Sequence, residues 1–126
     1  MIQSYLKDEL ALAIPELEWT IDYYAAKDNT ATVYSEGGPG PDPYDTRFRY
    51  PQYQVLIRSS DWGFAGQAAQ KVFGFFYKKS NLSVSNSFNT YRIYLIEPMG
   101  EPLRLGVRND VMEWTVNLQV TLREER

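Results

Sequence analysis

The sequence contains no cysteine and no histidine. Without cysteine there is no disulfide, no thiolate nucleophile and no Cys-ligated zinc or iron–sulfur centre. Without histidine there is no Ser–His–Asp triad, no imidazole base and no imidazole metal ligand. Long apolar runs are missing too, since no stretch approaches the ~20 residues that a membrane-spanning helix needs. The first ten residues lack a cationic start followed by an apolar segment, so no secretory signal is read. The expectation is a protein without a membrane partner that stays in the compartment where it is made. A basic excess is also lacking. Lys and Arg total 13 against 16 Asp and Glu, a net charge of −3, which argues against binding through neutralised DNA phosphates.

What is present is one ordinary domain's worth of chain, 126 residues, read as a single domain over 1–126. Hydrophobic residues make up 44%, enough to exclude a disordered composition and to fold without staples. The unusual number is the aromatic fraction, 15%, with ten tyrosines. Tyrosine and tryptophan bury much area at low rotamer cost and keep a polar handle. They fit a β-rich core with tyrosines at its rim, and some are in excess of what one small core hides, which points to an interface.

Ile2, Leu6, Leu10 and Ala13 stand at helical spacing, and Pro15 stops that helix. Leu17, Trp19, Ile21 and Tyr23 then alternate with polar residues as a strand does. After the turn Asp28-Asn29 comes a short β-prone strand over 30–35. Residues 36–45 hold three glycines and three prolines and read as a long exposed loop. They carry neither the lysine of a phosphate-binding loop nor a G-x-G-x-x-G, and Asp42 and Asp45 are a poor calcium set. A strand over 49–58 follows, then Ser59, Ser60 and Asp61 as helix-capping oxygens. The second helix is expected from Trp62 to Lys79, buried along Ala65, Ala68, Ala69, Val72, Phe73 and Phe76, with lysines at its end. Residues 80–89 read as a polar linker. Strands over 90–97 and 102–107 and a long one from Met112 to Leu122, alternating without a break, complete the order α-β-β-loop-β-α-β-β-β. This is α+β: a mainly antiparallel twisted sheet with two helices on one face.

The acids are scattered, with no spacing that pairs them for acid–base work or for holding a metal. Ser59-Ser60-Asp61 has no base beside it and is explained by capping. No catalytic, cofactor-binding or metal residue is assigned, and no cofactor.

Three blocks together carry a resemblance. Asp28-Asn29-Thr30-Ala31-Thr32-Val33-Tyr34 runs into Glu36-Gly37-Gly38-Pro39-Gly40-Pro41-Asp42. After the loop comes Tyr50-Pro51-Gln52-Tyr53-Gln54-Val55-Leu56-Ile57-Arg58-Ser59, then a helix with Trp62, Ala65 and Ala68 three apart. In this order the blocks resemble the tail terminator (minor capsid, tail completion) proteins of long-tailed bacteriophages. The resemblance implies a structural protein rather than an enzyme, made in the bacterial cytoplasm and housed in the virion at the head–tail junction. It implies a ring of six copies that ends tail-tube growth, with the tail tube protein and the head completion or connector protein as partners and DNA passing the lumen unbound. An interface built by Gly37, Gly38, Tyr44, Arg47, Phe48 and Arg49 is expected, its loop ordering on contact with a neighbour. Arg58, Ser60 and Asp61 are expected to hold the strand–helix junction. The competing reading is a carbohydrate- or ligand-binding module with an aromatic platform.

Overall fold

The computed structural model describes the chain except residues 1, 24–26, 77–78, 86–89 and 126 and the side chains of 79–85 and 125. The first helix, α1 (Ile2–Ala13), buries Ile2, Leu6 and Leu10 at four-residue spacing. Ile14 is buried just beyond it, and Pro15 prevents another turn. Strands β1 (Glu18–Ile21), β2 (Thr30–Gly37), β3 (Phe48–Arg49) and β4 (Gln52–Ser59) follow. Then come α2 (Trp62–Phe75) and four strands, β5 (Lys79–Ser85), β6 (Thr90–Pro98), β7 (Leu103–Arg108) and β8 (Val111–Glu125).

The strands form one sheet in the order β1-β2-β4-β8-β6-β5, with β3 and β7 also paired to β8. Among the described strands only β1–β2 is a parallel pair. The spine is β8. Its first half pairs with β7 and its second half with β6 on one side, while β4 and β3 take the other. Strands β7 and β8 meet at Asn109-Asp110, where both residues have positive φ, the twist that a tight hairpin needs.

Strand alternation sorts the sheet into two faces. Val33, Val55, Val116 and their row neighbours point to one face, where both helices bury their stripes in a single core. The α+β architecture with both helices on one face is therefore the observed one. Three details differ from expectation. Helix α2 stops at Phe75 because Phe76 turns in as its C-cap, fully buried and edge-to-face with Phe75 at 4.9 Å. Its last turn carries no basic residue. Part of the stretch read as linker is strand β5, paired to β6, with Leu82 and Val84 as its short alternation. Residues 86–89 of that stretch lie outside the described residues.

Candidate assembly surface

At the end of the sheet where β8 finishes, the chain leaves β2 through Gly37 and Gly38, which have φ of +78° and +126°. A Cβ on Gly38 would sit 2.5 Å from the Tyr50 carbonyl oxygen, so only glycine allows this crossing. Asp42 shapes the loop beyond. Its carboxylate accepts the backbone N–H groups of Tyr44 (2.8 Å) and Asp45 (3.2 Å) and the Tyr50 hydroxyl (3.0 Å). These bonds hold the Asp42 carboxyl below its ordinary range, the Tyr44 amide first among them. Donating to that carboxylate raises Tyr50 in turn. Arg47 grips Asp45 through Nε and Nη2, both at 3.0 Å, which lowers Asp45.

The loop's far end is tied to β8. Phe48 pairs with Arg123 and stacks on Tyr94 with ring centroids 5.5 Å apart. The Arg49 guanidinium meets Glu124 at 2.8 Å. The hydrogen bonds described within the loop come from the chain itself. Arg47 and Arg49 are not free cations, since each faces an acid. Tyr44 is presented outward at 97% exposure, held from behind by its own amide.

Arg58, Ser60 and Asp61 lie at the opposite end of β4. The Arg58 Nε donates to Glu113 at 3.1 Å, with both side chains about nine-tenths buried. Arg108 reaches the same carboxylate at 3.5 Å. Ser60 donates its amide (2.8 Å) and its hydroxyl to Asp28, holding that acid low, and Asp61 caps α2 by accepting from the Phe64 amide at 3.1 Å. Asp28, Asn29 (whose side-chain oxygen accepts the Ser59 hydroxyl at 2.6 Å) and Glu113 are the partners that sequence reasoning missed. The first two looked like turn residues only, and Glu113 looked like one of the wet positions of β8.

An enzyme or sugar platform finds little here. Among the described residues no group of three His, Cys, Asp or Glu could hold a metal. A groove of about 450 Å³ is lined by Glu36, Gln52, Tyr53, Gln54, Met99 and Asn117, but its one aromatic, Tyr53, is buried. The exposed rings Tyr23, Tyr44 and Trp62 come from three separate segments, and Tyr44 and Trp62 sit beyond opposite ends of β4.

A family model described as bacteriophage tail terminator protein matches residues 5–124, from the first helix to the end of β8. The chain belongs to the bacteriophage tail terminator family. No curated protein matches the sequence as a relative. Membership makes this a structural component of a phage tail, and hence of the virion. Among the described residues no helix is long and apolar enough to cross a membrane. For a tail terminator the exposed surface is the part that meets other proteins, so the pinned loop with its outward tyrosine becomes its leading candidate contact.

Proposed function

We propose that this chain, acting as one domain, assembles into a closed ring of about six copies that caps the tail tube, ends its growth and offers the opposite face to the head connector. In this reading the job is done by shape and not by bond-making at a pocket. The observation that carries it is the loop 38–48. Its exposed aromatic stands on a scaffold of internal hydrogen bonds, so little freedom is lost when it meets a partner. Gly37 and Gly38 set the loop's exit, Tyr44 is its contact, and Arg47, Phe48 and Arg49 anchor its return, against an adjacent copy or the tube.

A passage for DNA is supported by the helix-free face of the sheet. Strand alternation puts Gln52, Gln54, Asn117 and Gln119 at its middle, uncharged amides with no pull on phosphate, with Glu97 beside Gln119 and the paired Arg92 and Arg123 nearer the end of β8. The net charge of −3 per chain is repeated in every copy and works in the same direction.

Light scattering after size exclusion, with and without purified tail tubes, tests the reading. The expected result is a closed oligomer, at least on tubes. Deleting residues 38–43 should abolish ring formation or tail joining while the circular dichroism spectrum stays folded. Unchanged assembly of the deletion would refute the loop's role, and a wild-type chain that stays monomeric with tubes present would refute the ring.

A further inference from the structure

The end of the sheet that holds β7 is five strands wide, and its two outer edges are β1 and β7. Rows of paired residues run straight across it. Glu18 is opposite Thr30, which is opposite Arg58, then Glu113, then Gly106. Two residues along, another aligned row runs Thr20, Thr32, Leu56, Thr115 and Leu103. Both edges therefore lie at the same level along the strands.

The β7 edge is short and bulged between Arg104 and Gly106, and it is rich in exposed apolar residues. Leu103, Leu105 and Val107 are 57%, 53% and 44% exposed, with neither lysine nor proline in the strand. Nothing among the described strands pairs with its outer side. Its charges are Arg104, which makes no ion pair among the described residues, and the exposed Arg108. Glu101 and Asp110 lie only in the turns at its ends.

The opposite edge has the complementary chemistry. Glu16, Glu18 and Asp22 are exposed along the β1 segment, with Lys27 as the cation beside Glu18 at 3.6 Å. Exposed apolar surface is present too, from Leu12 (81%) at the end of α1 and Tyr23 (64%) just after β1.

We propose that the β7 edge of one copy seats on the α1–β1 end of the next copy, arginines toward acids and Leu103, Leu105 and Val107 against apolar surface. This rests on the ring reading above and names its subunit contact. Joining two different edges is a head-to-tail contact, which either closes or spirals into a filament. The shared row level favours closure, because each added copy needs little shift along the strands. Six copies of five strands, spaced about 4.8 Å, close a cylinder about 45 Å across, which leaves a passage. The loop carrying Tyr44 lies at the other end of β8, clear of this contact and available to the tube.

The test is a charge swap in the full chain. Arg104→Glu and Glu18→Arg are made singly and together, with Leu105→Asp as a second probe of the same edge. All three substituted positions are exposed, and circular dichroism checks that each variant is folded. Ring mass is read by light scattering with purified tail tubes. Each single variant and Leu105→Asp should cut the ring fraction at least tenfold, and the double swap should bring it back to within about twofold of wild type. Normal rings from folded single variants would overturn this contact and leave the ring reading standing. So would a loss that the double swap does not repair, or rings that form normally but no longer hold tubes, which would give the edge to the tube protein. A wild-type chain that forms no ring on tubes would overturn both.

Discussion

Gly38 shows how little room a single residue can have. Its φ of +126° and the Tyr50 carbonyl 2.5 Å from any added Cβ mean that Gly38→Ala must move backbone, not a side-chain tip. A cost of about 1–3 kcal/mol is expected, read as a lower urea midpoint. At the far end of β4, Arg58 and Glu113 are a buried pair, and removing one partner strands the other charge. Arg58→Ala should lower unfolding stability by about 3–5 kcal/mol. If it unfolds no more easily than wild type, the junction does not depend on that pair. Tyr53 gives a pH signature. Burial pushes its hydroxyl up to about 12, so the folded chain keeps a proton that the unfolded chain releases near pH 10. Stability should be whole below pH 10 and fall as pH rises from 10 toward 12, by on the order of 2–3 kcal/mol. Tyr53→Phe, compared in denaturant melts across that range, should flatten the fall.

Among elements, α2 is the one whose seat can be probed most cleanly. Gly66 lies over the Trp114 ring, where an added Cβ would be 3.5 Å away, an ordinary contact. Gly66→Ala should therefore be tolerated or stabilise by up to about 1 kcal/mol through helix propensity, whereas Gly66→Leu should lower the melting temperature by several degrees. Asp61→Ala should cost about 1 kcal/mol, because the Phe64 amide loses its acceptor. The elements differ in how legible they were. Helix α1 and strand β8 announce themselves, because a helix with one buried stripe and a strand with one wet face keep strict periods. Strand β5 hid among serines and asparagines, because a strand's ladder is backbone and only Leu82 and Val84 mark it. The end of α2 was misplaced because Phe76 continues the helical stripe in sequence but turns into the core as a cap.

For the molecule as a whole, charge and shape set what it can pass and hold. With a net charge of −3 and amides at the middle of the helix-free face, the chain should not retain duplex DNA at physiological salt. A gel shift that weakens with added salt would count against an unbound passage. The unlike β1 and β7 edges are the other whole-molecule property, and the proposed head-to-tail contact rests on them.

Composition and local pattern alone excluded disulfide, thiolate and imidazole chemistry, placed both helices and most strands, and carried the family resemblance, because absences and periods are properties of neighbours along the chain. They also pointed to the glycines and prolines of the loop. Folding in three dimensions decided the rest. It gave Asp28 to Ser60, Glu113 to Arg58 and Asp42 to Tyr50, and it set β1 level with β7 at opposite edges. Those relations join residues from 8 to about 90 positions apart, and strand register, which settles them, is fixed by packing across the sheet and leaves no mark at any one site.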